Sequence, residues 1–166
     1  FTDEKKRELN KPIDGRFPLH IEHENIQDFL RCQVPFHWHP ELEIITVDAG
    51  HVSLTIADHT YEGTHGDVFF AAGEELHEIR AAGRENQFRS FVFAADFLQF
   101  AADQSEFALL SPLAEGRLRF ATCIRAGEPG QSEIRALLAQ IVRAWQVQAP
   151  GCQLAVKAAL LGIVAV

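Results

Sequence analysis

The stretch His37-Trp38-His39-Pro40-Glu41-Leu42-Glu43-Ile44-Ile45-Thr46-Val47-Asp48-Ala49-Gly50 decides how this chain reads. In an extended segment, side chains an even number of residues apart leave the same face of the backbone. His37, His39 and Glu43, three ligand-type groups, therefore share one face of a single expected strand. Leu42, Ile44, Ile45 and Val47 give that strand an apolar, β-branched character, and Asp48-Ala49-Gly50 supplies the turn that ends it. Trp38 points the opposite way and is expected to pack rather than to touch a ligand. Glu41 has inward parity, next to a proline that distorts the strand.

A second stretch answers the first. Gly66-Asp67-Val68-Phe69-Phe70-Ala71-Ala72-Gly73-Glu74-Glu75-Leu76-His77 reads as a turn, a short apolar strand, another turn, and a histidine heading the next strand. His77 is the fourth ligand-type group. The pattern His-x-His, three residues, Glu, six residues, Gly resembles the first cupin motif, and Gly66 to His77 resembles the second. Ala72 and Glu74 stand where the cupins usually have proline and glycine, which predicts a less rigid turn. Within the cupins, the wording from Val34 to Ile79 is similar to the sensor half of AraC/XylS-type transcription regulators. That resemblance implies a ligand-sensing, dimerising β-barrel joined to a C-terminal pair of helix-turn-helix DNA-binding units, and the second half is not in this sequence. The resemblance implies that the N-terminal arm can fold over bound ligand.

At 166 residues the chain has the length of one domain with a sizeable core. Its net charge of −8 argues against a phosphate-binding surface, because DNA-binding modules carry clustered Lys and Arg. DNA is therefore an expected partner only through the further domain. Cys32, Cys123 and Cys152 are too few and too scattered for a disulfide framework, so a reducing, cytoplasmic setting is expected. No secretory signal is visible among the charged residues Asp3 to Glu8, and the apolar run Ala158 to Val166 is far shorter than the roughly 20 residues a bilayer needs. The absence of methionine and the end of the sequence inside that run predict a piece of a longer protein.

Taken in order, residues 1–16 read as a charged arm, 17–126 as the barrel, and 127–166 as a helical hairpin. Leu19, Ile21 and His23 alternate with His20, Glu22 and Glu24 as a strand, with His20 and His23 as rim residues. Val52, Leu54 and Ile56 alternate in the same way, and Phe88 to Phe93 forms another strand. Short strands at regular spacing, with polar turns that hold His51, His59 and His65, predict a sandwich or barrel. Asp96 is expected to cap a short helix through Phe97, Leu98, Phe100 and Ala101. The segment from Ser105 to Gly116 gives no clear pattern, and Leu118, Phe120 and Ile124 suggest a last strand closing the barrel edge. Ser132 is expected to cap a helix whose apolar residues run from Ile134 to Trp145, ended by Pro150-Gly151. A second helix follows, apolar around most of its circumference. The fold class is thus mostly β: a cupin barrel (double-stranded β-helix, or jelly roll) followed by an antiparallel helical hairpin, expected to form a homodimer through residues 132–166.

His37, His39, Glu43 and His77 form a nitrogen and oxygen donor set suited to a divalent transition metal such as Zn, Ni, Fe or Mn. The other reading, a metal-free pocket in which the same groups hydrogen-bond a small molecule, stays open. The expected ligand contacts are those four residues with Glu41, Phe91 and Phe93, the two rings standing on a barrel strand where they can stack on a ligand or fill the core. Arg80 and Arg89 are further anion-binding candidates with ordinary surface roles as the alternative. No nucleophile stands beside a base, so a small-molecule sensor without catalytic residues is expected. The alternative is a metal-dependent cupin enzyme of dioxygenase or sugar isomerase type.

Overall fold

The computed structural model describes residues 2–9, 17–83, 85–99 and 109–166. Two kinds of strand are visible in the burial pattern. In β4 (His51–Ile56), Val52, Leu54 and Ile56 are buried while the residues between them are not, the period of a strand covered on one face. In β3 (Leu42–Ala49) the first six residues are all buried, as are all four of β6 (Val68–Ala71), because both faces are covered. Continuous apolar runs in this chain mark a middle layer rather than an edge.

The remaining strands are β1 (Leu19–Asn25), β2 (Gln33–His37), β5 (His59–Thr64), β7 (His77–Ala81), β8 (Gln87–Phe93) and β9 (Cys123–Ile124). They form two antiparallel sheets in the orders β1-β8-β3-β6-β9 and β2-β7-β4-β5. From β2 onward the chain steps back and forth between the sheets, which is the jelly-roll winding of a cupin barrel. Ile45, Val47, Phe69 and Phe88 from one sheet meet Val52, Leu54, Ile56 and Ile79 from the other, and this cluster fills the barrel. A second cluster lies on the outer face of the larger sheet. There Leu19, Ile44, Phe70, Phe91 and Phe93 pack against α2 (Gln131–Val147) and α3 (Cys152–Ala165).

α2 and α3 form the antiparallel hairpin read from the sequence. Their caps differ from expectation. Neither Ser132 nor any other side chain caps α2, which starts from Gly130 in the left-handed region (φ 81°) and ends at Gln148, also left-handed. Likewise Asp96 lies inside a single 3-10 turn (Ala95–Leu98) and does not cap it; Phe100 and Ala101 fall outside the described residues. The last strand is shorter than read, because only Cys123 and Ile124 pair with β6, while Phe120 leaves the sheet and stacks on Phe70 at 4.6 Å. In the ambiguous stretch, α1 (Leu110–Ala114) forms one short helix.

Of the N-terminal arm, residues 10–16 lie outside the described residues, but residues 2–9 are held on the barrel. Trp38 N–H donates to Lys6 O at 3.0 Å, Glu8 N–H to Trp38 O at 2.9 Å, and the Trp38 indole N–H to Lys5 O at 2.9 Å. Arg7 stands over the same indole at 5.6 Å. Trp38 thus faces outward, as its parity requires, and what it packs on is the arm.

Candidate metal centre

The two histidines and the glutamate of the first motif do not lie on one strand. His37 ends β2 in the smaller sheet, Glu43 lies in β3 of the larger one, and His39 sits in the crossover between them. Pro40 makes the difference, since it cannot donate to a ladder and breaks the extended run. The three side chains converge because the chain turns a barrel corner. His77, at the start of β7, pairs with His37 across the smaller sheet and supplies the fourth group.

One donor atom from each of His37, His39, Glu43 and His77 lies within 4.8 Å of all the others, and all four residues are buried. Donors around a tetrahedral zinc ion with bonds near 2.1 Å stand about 3.4 Å apart, so the cluster would draw together to form a coordination sphere. Glu43 Oε2 is central, 2.9 Å from His39 Nε2 and 3.1 Å from His77 Nε2. Two backbone carbonyls orient the rings: His77 Nδ1 lies 2.8 Å from Glu75 O and His37 Nδ1 2.9 Å from Pro35 O. A carbonyl only accepts, so both Nδ1 atoms carry hydrogen and a neutral ring turns its Nε2 lone pair to the centre. A lone pair and a carboxylate oxygen 3.1 Å apart require positive charge between them, either a proton or a metal ion. The donor set and its orientation fit a divalent transition metal.

A cavity of about 130 Å³ adjoins the cluster, lined by Glu8, Glu22, Glu24, His37 and Glu43 together with Phe29, Val34, Ile79 and Phe88. Its polar wall is acidic. Burial, with Glu22 and Asp28 close by, raises the Glu24 carboxyl above its ordinary value. From the arm, Glu8 Oε2 reaches to 3.9 Å of His37 Nε2.

The family model of the AraC-like ligand binding domain matches residues 26–164. The chain belongs to that family. No curated protein matches it in sequence. Solved structures that align with part of it include a conserved protein of unknown function from Streptococcus pyogenes (19% identity, 46% of this chain and 64% of that one, TM-score 0.39). Others are a predicted oxalate decarboxylase from Thermotoga maritima (25%, 37% and 55%, TM-score 0.36) and an RmlC-like cupin family protein from Methanocaldococcus jannaschii (15%, 46% and 70%, TM-score 0.39). The chain covers less than two thirds of the length of the first two.

In this AraC-like domain the remaining sequence-derived site residues are placed unevenly. Glu41 stands beside the cluster, its Oε2 3.5 Å from His39 Nδ1. Phe91 and Phe93 do not face the cavity: their parity on β8 turns them to the outer cluster beneath α2 and α3, while Phe88 faces inward. Arg80 pairs with Glu78 at 3.0 Å and Arg89 with Asp48 at 3.1 Å, so both have local ion-pair roles. Sequence reading overlooked Glu8, Glu22 and Glu24 as cavity residues. The alternation in β1 held the signal for two of them, since it puts Glu22 and Glu24 on the face opposite Leu19 and Ile21, and only the latter face meets the helices.

Proposed function

We propose that the domain is the effector-sensing and dimerising part of a transcription regulator. On this reading His37, His39, Glu43 and His77 hold a divalent transition metal, and the acidic cavity beside them takes a small polar molecule. The observation that carries the reading is the donor set, three imidazoles and one carboxylate converging in a buried barrel mouth with two rings oriented by carbonyls. A bound Zn, Ni, Fe or Mn ion would supply fixed positive charge and a coordination position for an oxygen or nitrogen of the ligand. The carboxyl oxygens of Glu22, Glu24 and Glu8 offer hydrogen-bond acceptors, which suit hydroxyl and amino groups. A sugar, polyol or small amine suits that lining, whereas a free carboxylate is repelled unless it reaches the metal.

Glu8 links the cavity to the arm, and the arm to Trp38, so occupancy bears on how the arm is held. The homodimer forms through α2 and α3, and DNA is contacted by helix-turn-helix units outside this domain. Metal analysis of the purified domain before and after chelation, followed by calorimetry with sugars, polyols and small carboxylates with and without zinc, tests the reading. Stoichiometric metal and a ligand heat that depends on it are expected. Steady turnover of any of these compounds by the metal-loaded domain would replace the sensor with a metal-dependent cupin enzyme.

A further inference from the structure

A cavity larger than the one beside the metal cluster lies outside the barrel. It measures about 310 Å³ and lies outside the larger sheet, between β6, the turn 72–75 and the segment from Leu113 to Thr122. That volume is at the lower end of small-molecule sites, which run from about 300 to 1,000 Å³. Its floor is apolar: Leu42 and Phe70 are almost fully buried, and Phe120 lies stacked on Phe70. Its rim is charged. Glu75 is spent, one oxygen accepting from Ala72 N–H at 2.9 Å and the other pairing with Arg119 at 3.0 Å. Glu115 pairs with Arg117. Glu74 alone on this rim makes no side-chain ion pair or hydrogen bond among the described residues, and it stands exposed at the mouth. An apolar floor below one uncompensated carboxylate defines a ligand with an aromatic or aliphatic body and a single protonated amine.

The same turn forms a wall of the metal centre. Glu74 N–H donates to His39 O at 2.7 Å, Glu75 O accepts from His77 Nδ1 at 2.8 Å, and Gly73 lies so close to Pro40 that a Cβ there would come within 2.5 Å of its carbonyl oxygen. We propose that this outer pocket is a second ligand site, for a small apolar amine, and that its occupancy is coupled through residues 72–75 to His39 and His77. The coupling rests on the metal reading above; the pocket does not. A ligand packed against the turn orders the two contacts the turn makes with the histidines, Glu74 N–H to His39 O and Glu75 O to His77 Nδ1, and linkage requires the metal to favour that ligand by the same factor.

The test uses 2-phenylethylamine as probe, with phenylacetate and 2-phenylethanol as controls of the same body. Titrated by NMR or calorimetry, the amine should bind at least tenfold more tightly than the acid, a difference of about 1.4 kcal/mol. Glu74→Lys, an exposed change, should remove that preference, and Leu118→Trp at the rim should block the pocket, with circular dichroism confirming that both variants fold. Saturating amine should tighten zinc binding about fivefold or more. Absence of binding, preference for the acid, or unchanged binding to Glu74→Lys overturns the site. Binding with unchanged zinc affinity overturns the coupling, and a domain that takes the amine but no zinc sinks the metal reading while the pocket stands.

Discussion

At the scale of the residue, the His77 ring explains most about the centre. Its Nδ1 is committed to Glu75 O and its Nε2 faces Glu43, so His77→Ala removes a donor and leaves the buried Glu43 carboxylate with less to compensate it. Loss of a group that hydrogen-bonds a metal ligand costs about 10–100-fold in affinity, and loss of a ligand itself should cost more. Competition titration with a chromogenic chelator checks this, and Glu41→Gln, outside the four-residue cluster, should change zinc affinity far less. Zinc at about 100 times its dissociation constant adds about 2.7 kcal/mol. That should raise the thermal midpoint by about 5–10 °C in a domain of this size, and His77→Ala should abolish the rise. Asp67 makes a separate, structural case. Burial pushes its carboxyl up, but the N–H groups of Thr64 and Ala126 and the Arg125 guanidinium outweigh burial and hold it below the ordinary carboxylate value. A carboxyl depressed in the folded state adds stability above its unfolded pKa and loses it as pH falls through the folded one. Asp67→Asn should therefore cost about 2 kcal/mol at neutral pH, allowing for solvent at Arg125, and flatten the acid limb of a denaturation series.

At the scale of the element, the donor residues were legible and the element that carries them was not. Spacing alone put His37, His39 and Glu43 on one face of one strand, and they do converge, yet the chain reaches that result by leaving one sheet at His37 and entering the other at Leu42. Periodicity reports parity along an extended chain and is silent about a corner. The same blindness sent Phe91 and Phe93 to the wrong side, because in a strand buried on both faces neither parity carries a hydropathy signal. Capping failed for a different reason: α2 starts from a left-handed glycine, Gly130, with no side-chain cap at all, and only a backbone angle reveals that start. The turn 72–75 joins these points, since Glu74 occupies the left-handed region (φ 64°) where glycine would be unstrained, and Ala72 gives Glu75 an N–H that proline lacks. Of the two departures from the cupin pattern, Ala72 thus gains a contact within the turn, while Glu74 carries backbone strain there. Its tightest point is Gly73 against Pro40. Gly73→Ala should force the turn from the crossover at a cost of about 1–3 kcal/mol, and should weaken zinc binding along with stability. A variant that loses stability yet keeps full zinc affinity would show that the turn does not position the histidines.

At the scale of the whole molecule, a barrel, an arm and a helical hairpin are arranged so that the larger sheet is the middle layer, and its two faces divide the labour between site and scaffold. Compositional reading reached the hairpin and its apolar excess on α3, but not which side chains that excess concerns. Leu160 is 1% exposed and belongs to the core with Val156, Ala159 and Ile163, so replacing it by lysine would test folding rather than association. Leu160→Ala should itself cost about 2–5 kcal/mol. What remains outward on α3 is a different row. Leu154 (75% exposed), Ala158, the half-buried Leu161 and Ala165 follow one another at intervals of four, three and four residues, the spacing of a coiled-coil seam. Scattered apolar residues are ordinary on a surface, but a seam with heptad spacing is covered most simply by its own copy across a two-fold axis. The dimer proposed above should therefore pair α3 with α3. Leu154→Lys combined with Ala158→Glu, both at exposed positions, should give a monomer by sedimentation velocity while its thermal midpoint and zinc affinity stay near those of the parent protein, because neither residue touches the core. A parent domain that sediments as a monomer at high micromolar concentration, or a double variant that still dimerises, would sink the pairing.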